Sequence, residues 1–281
     1  MYNLRYHIAS LVGVFLALAL GLVLGGLVVG QGTLESQQAG LVEGLRKEFA
    51  TLRTENQTLT KQNDVLSGYS KMMTDGWVAG RLAGRSIVVM TSSGRSDGLK
   101  ASTDDIQAAG GTVVTVTLKE TGLNLAAPEV QSIVTSATGE PAGSAEKTAA
   151  LLEAEWTRAG GSRPLTEALV AAGVLAVDGF TASTAASGIV NLAAPDAKPD
   201  QAGLTIARSF ADAGIAAVGG QTPARDTGVA VASAAAGMSA LDTLGTDIGT
   251  YTLVALLSGA APGYYGQGDA ATAEYPPLPG S

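Results

Sequence analysis

The sequence predicts an α/β protein on a membrane anchor, and three patterns predict it. Ile8 to Val29 runs for 22 residues without a charge. Leu45, Leu52, Leu59 and Leu66 recur every seven residues. Beyond Gly84, short β-branched runs alternate with helical stretches. A bilayer core about 30 Å thick takes roughly 20 apolar helical residues to cross. Sustained apolar heptads make coiled coils, and strand–helix alternation makes a layered fold with a parallel sheet. The expected divisions are a cytoplasmic tip and transmembrane anchor (1–30), a parallel coiled-coil stalk (31–70) and a joint (71–83). A single α/β layered, Rossmann-like domain with a mostly parallel sheet follows (84–266), then a disordered Pro-rich tail (267–281).

Charge is unevenly spread along the 281 residues, whose net charge is −8. Up to Ala83 there are 7 Lys/Arg and 6 Asp/Glu; from Gly84 there are 10 and 19. An acidic domain argues against nucleic acid, which selects basic stripes. The absence of cysteine excludes disulfides, thiolate metal sites and Cys nucleophiles.

The apolar run is longer than the 7–15 residues of a typical signal-peptide core and lacks a clear small-residue cleavage site, so it reads as an anchor. A cleaved signal is the competing reading, since the exit is rich in glycine. Arg5 and His7 precede the span, and the first Lys/Arg after it is Arg46. The positive-inside rule then puts the N-terminus in the cytoplasm and the domain outside. Gly21 and Gly25 form a GxxxG pair able to bring two helices close, though glycine is common in such segments.

In the stalk, Leu45, Leu52, Leu59 and Leu66 take the d positions, and Val42, Phe49, Asn56 and Asn63 the a positions. A buried Asn at a costs stability but fixes register, because its amide is satisfied only by its twin. Glu48 at g would meet Arg53 at e of a parallel partner. These residues predict a homodimer; the alternative is one amphipathic helix folded back on its own domain. Met72 and Met73 are weak candidates for soft metal ligands. Adjacent residues face different sides of a helix, so packing at the joint is the plainer role. Trp77 is expected to dock the joint on the domain.

In the domain, Ile87–Met90 and Thr112–Leu118 read as strands around a helix at Asp97–Ala109, a βαβ unit. The acidic, Ala-rich stretch from Pro128 to Ala159 reads as surface helices. Helices are expected at Leu165–Ala172, Gln201–Ala213 and Ile248–Leu257, the last amphipathic. Strands are expected at Val174–Val177, Ile189–Leu192 and Ile215–Val218. Thr227–Ala236 fits either class.

Chemistry is sparse. Ser92, Ser93 and Gly94 follow the first strand, where doubly wound folds bind ligands, but no phosphate-loop motif is present. Asp242 and Asp247 flank Gly245 as weak cation candidates, with helix capping the plainer role. The one histidine, His7, lies at the membrane edge, which leaves no Ser-His-Asp triad in the domain. The expected class is non-enzymatic, with an envelope enzyme acting on glycans through two carboxylates in one cleft as the further alternative.

Three stretches carry a family resemblance: LRYHIASLVGVFLALALGLVLG, the heptad stalk, and SALDTLGTDIGTYTLVALLSGAAPGYYG. Together they resemble the actinobacterial copper transport protein family (MctB-like), whose relatives include the division-associated protein SteB. The family motif falls on Pro262, Gly263, Tyr264, Tyr265 and Gly266, and relatives often carry histidine where Tyr264 stands. The resemblance implies an envelope protein with an extracytoplasmic α/β domain. The resemblance further implies a role either in copper homeostasis or in septal envelope assembly, by controlling a peptidoglycan hydrolase through a partner protein. Copper enters as a ligand by resemblance only. A chain with no Cys, one His and five Met is poor in the donors copper favours.

Overall fold

The computed structural model describes residues 4–29, 33–92, 94, 97–120, 122–193, 198–223 and 228–278. The chain divides into two units, residues 1–67 and 68–281.

The first unit is helical. Helix α1 (Leu4–Val29) contains a stretch, His7–Leu27, of 21 residues and mean hydropathy 2.6, long and apolar enough to cross a membrane. Helix α2 (Thr33–Val78) is continuous over 46 residues, so the chain stays helical through most of the expected joint. Turns occupy only the stretch from Ala79 to Gly84. No interior proline interrupts α2, and its threonines return their hydroxyls to the carbonyl four residues back, as Thr54 does to Ala50 at 2.9 Å. The coiled-coil pairing expected of α2 needs a second chain and is not described by one.

The second unit is built on a seven-stranded sheet in the order β3-β2-β1-β4-β5-β6-β7. Its strands are β1 (Ser86–Ser92), β2 (Thr112–Leu118), β3 (Leu175–Asp178), β4 (Ala186–Leu192), β5 (Ala216–Gly220), β6 (Ser239–Leu241) and β7 (Tyr264–Tyr265). Every pairing is parallel except β2 with β3, which is antiparallel. Strand order reverses direction between β1 and β4, making that gap the topological switch point.

Alternate residues of β1 feed two cores. Val88 and Met90 enter one; Ile87 and Val89 enter the other. A strand covered on both faces reads as a continuous apolar run, which is why β1 is plain in the sequence. The first face is covered by α4 (Pro128–Thr138), α5 (Ala145–Thr157), α6 (Pro164–Ala171) and α7 (Gln201–Asp212). The second is covered by α3 (Leu99–Ala108) and α9 (Asp247–Leu257), together with Val78 at the end of α2 and Leu82 in the turns that follow it. Helix α8 (Val229–Ala235) packs beside β5 and β6.

Three expectations need correction, and two short strands have no counterpart among the expected ones. The stretch Pro128–Ala159 does not form surface helices only: Ala149, Leu152 and Trp156 of α5 are fully buried, because α5 packs on α7 and α6 and reaches β4. Helix α9 is buried over Leu253–Leu257 rather than one-sided. The strands β6 and β7 are too short, at three and two residues, to show a period. Finally, residues 267–278 are hydrogen-bonded to the domain: Gly266 N–H donates to Ala273 O at 2.9 Å, and Tyr251 Oη to Pro276 O at 3.1 Å.

Candidate functional site

At the switch point, Ser92 is buried at the end of β1 and donates its hydroxyl to Asp200 Oδ2 at 2.9 Å. Asp200 caps α7, accepting from Ala202 N–H at 3.1 Å and from Gly122 N–H at 3.4 Å. Anions bind helix N-termini because free N–H groups and the dipole face them. Here the α7 terminus already carries its own carboxylate, which repels a phosphate. Gly94 is exposed with φ 76°, and Ser93 lies outside the described residues. The expected ligand loop is therefore tied to a helix cap at Ser92.

Asp242, at the end of β6, is almost fully buried. Oδ2 accepts from Tyr264 Oη at 2.7 Å and Gly268 N–H at 2.8 Å; Oδ1 accepts from Gln267 N–H at 2.9 Å. Three donors satisfy this carboxylate without a cation. Two glycines make the wrap: a Cβ on Gly266 would sit 1.8 Å from Asp242 Oδ1, and one on Gly268 2.5 Å from Tyr264 Oη. The motif Pro262, Gly263, Tyr264, Tyr265, Gly266 is thus a closing strand. Gly263 O accepts from Ala240 N–H at 2.9 Å, and both tyrosines are buried. Asp247 is in the first turn of α9, whose cap is Thr246, accepting from Gly249 N–H at 3.0 Å. Asp242 and Asp247 form no joint ligand set, and among the described residues no group of three His, Asp or Glu is placed to hold a metal.

Met72 and Met73 lie on α2, 61% and 53% exposed. They do not pack at the joint, and Met73 continues the heptad row seven residues after Leu66. Trp77 does dock: its ring is 4.6 Å from Tyr251 of α9, and the Arg81 guanidinium lies 4.4 Å over it. Tyr275 stacks edge-on against Tyr251 at 6.5 Å. Desolvation raises the Tyr251 hydroxyl above its ordinary pKa.

The heptad seam is an exposed apolar row along the stalk. Val42 is 48% exposed, Leu45 51%, Phe49 69%, Leu52 59%, and Leu59 and Leu66 64% each. Asn56 and Asn63 interrupt it at the a positions, and Glu48 and Arg53 flank it, all exposed. Among the described residues nothing covers this face.

Periodicity does not reveal two acidic groups, one half-buried and one buried. Asp105 on α3 accepts from Thr250 Oγ1 of α9 at 2.9 Å, while its Oδ2 is buried without a partner. Desolvation, reinforced by Asp104 and opposed by the Thr250 bond and Lys71, lifts its pKa from 3.8 to about 6. Glu155 of α5 accepts from Leu165 N–H at 2.8 Å, Thr166 N–H at 3.0 Å and Thr166 Oγ1 at 2.8 Å, capping α6 from inside the core. Neither residue stands in a motif, and only the partners from distant elements give them a role.

Comparison with known proteins gives one match. The family model described as "Copper transport outer membrane protein, MctB" covers residues 1–276. No curated protein and no solved structure matches the chain.

Proposed function

The chain belongs to the MctB copper transport outer membrane protein family, and from that premise we propose that it is a non-catalytic envelope scaffold or regulator. In this reading α1 anchors the chain, two copies pair in parallel through α2, and the α/β domain lies outside the cytoplasm. There it binds a partner protein of septal assembly and peptidoglycan hydrolase control.

The observation that carries the reading is the exposed seam of α2. A long helix that exposes Leu45, Phe49, Leu52, Leu59 and Leu66 to water leaves several kcal/mol of apolar burial unused, at about 25 cal/mol per Å². A partner helix recovers it, and the Glu48 and Arg53 flanks select a second copy in parallel. The test is sedimentation of the full chain in detergent with Leu52→Ser and Leu59→Ser together. The native chain is expected to be dimeric and the variant monomeric; an unchanged dimer rejects the seam.

Copper transport is the second reading, favoured by the family's own description. Copper is then cargo. The soft donors are scattered: Met72 and Met73 on the α2 surface, Met90 and Met238 in the domain core, His7 on α1. This dispersion supports an indirect part in copper homeostasis. Titration of Cu(I) and Cu(II) into the full chain decides between them: tight stoichiometric binding would establish direct handling.

A further inference from the structure

Beside the sheet edge at β3 lies a cavity of about 360 Å³ lined by Arg163, Glu167, Val170, Asp178 and Phe180. This is the small end of the range for ligand sites, which limits the occupant to a few tens of atoms. None of its lining residues belongs to the switch point.

Arg163 is the unusual group. It is 8% exposed, and its guanidinium lies 4.4 Å over the Phe180 ring. It donates to Thr181 O at 3.2 Å and Thr184 O at 2.5 Å, while Nε is buried without a partner. A guanidinium carries five N–H donors in a fixed fork, and burial of its charge is costly unless it is paired. Among the described residues its guanidinium forms no ion pair. The near acids are otherwise engaged. Glu155 is taken up by the first turn of α6. Glu167 Oε1 accepts the Arg163 backbone N–H at 3.4 Å rather than the guanidinium. The adjoining α6 terminus is already capped by the Glu155 carboxylate, so the positive end of the cavity is the Arg163 guanidinium alone.

On the rim the sign reverses. Glu167 and Asp178 are exposed carboxylates, with Val170 and Phe180 as apolar walls. A phosphate or a dianion would meet both acids. A molecule with one carboxylate and one ammonium group matches both ends. We propose that this cavity binds a free amino acid or a dipeptide. Its carboxylate lies on the Arg163 fork, where bidentate pairing is strong, and its ammonium lies between Glu167 and Asp178.

The experiment is isothermal titration of L-alanyl-L-alanine and of D-alanyl-D-alanine into the full chain in detergent micelles. Hydrogen exchange read over residues 163–184 locates the binding. At least one dipeptide is expected to bind saturably and to slow exchange in that segment. The N-acetyl form and the C-terminal amide are each expected to bind about tenfold more weakly, since each removes one charge. Arg163→Lys should weaken binding about tenfold by losing the fork. Asp178→Asn, at an exposed position, should weaken the dipeptide but not its N-acetyl form. Circular dichroism separates a lost site from a lost fold. The proposal is overturned if folded protein gives no saturable heat with either dipeptide up to about 10 mM. It is also overturned if the amide binds as well as the acid, or if Asp178→Asn weakens both forms alike.

Discussion

Tyr264 donates its phenolic hydroxyl to Asp242 Oδ2 at 2.7 Å, both side chains being buried, and this bond fastens the last strand to the sheet. Tyr264→Phe leaves a buried carboxylate one donor short, which costs about 1–3 kcal/mol. For a unit of this size that is a fall in Tm of about 2–4 °C per kcal/mol. Tyr264→His keeps a donor and is expected to lose less than the Phe variant. Thermal unfolding of the three proteins side by side checks the order; equal losses would mean the hydroxyl bond is not what matters.

The same knot shows what was legible in the sequence. Strand β1 is readable because a parallel strand buried on both faces is a solid apolar run, β2 because it is β-branched with every second residue buried, and α7 because a one-sided helix has a period. Asp242 stood out beside Gly245, yet its partners come from 22 to 26 residues downstream, and no local pattern encodes them. The two-residue β7 is similarly silent: it is a strand only because β6 lies beside it. The α5 stretch misled for a physical reason. Its Ala and Glu residues look solvent-facing, but small side chains allow close packing on α7, and Glu155 is buried as a cap. Arg163 could have been suspected only from its place directly before Pro164, a favoured helix start.

Burial of α5 makes a sharp difference to mutation. Leu152 is fully buried in the first core, so Leu152→Ala should cost about 2–5 kcal/mol. A surface helix would lose under about 0.5 kcal/mol. Urea unfolding followed by circular dichroism distinguishes the two, with the midpoint shifting at constant slope.

Asp105 gives the domain a pH dependence of stated sign. Its folded pKa, about 6, lies above the ordinary 3.8, chiefly through desolvation. The folded state therefore holds a proton that the unfolded state releases between those values. This contribution is fully present below about pH 3.8 and is lost as pH rises to about 6. The neighbours facing it are Lys71, Asp104 and Thr250, with Lys71 itself paired to Asp75 at 3.0 Å. Discounted for partial solvent screening, the change is on the order of 1–2 kcal/mol. Asp105→Asn should flatten that part of the stability–pH curve, measured by urea midpoints from pH 4 to 7. A curve that keeps its slope in the variant would assign the effect to another group.

Parallel pairing of α2 has a covalent test, because the chain contains no cysteine. Val42 occupies an a position, and in a parallel, in-register dimer the two a positions of one heptad face each other. A disulfide needs Cα atoms about 4.4–6.8 Å apart, a condition such a pair meets. Val42→Cys should therefore give a covalent dimer on mild oxidation of the full chain in detergent. Thr54→Cys, at the outward f position, should stay monomeric on a denaturing gel. An antiparallel pair would bring Val42 opposite a distant heptad and leave it uncrosslinked. Asn56 and Asn63 set which of these registers wins, since each amide at an a position is satisfied by its own twin. Replacing both with Val should raise the stability of the stalk while lowering the yield of the Val42→Cys crosslink, as slipped registers become accessible. A crosslink yield unchanged by the double replacement would move the register determinant elsewhere, to the Glu48 and Arg53 pair.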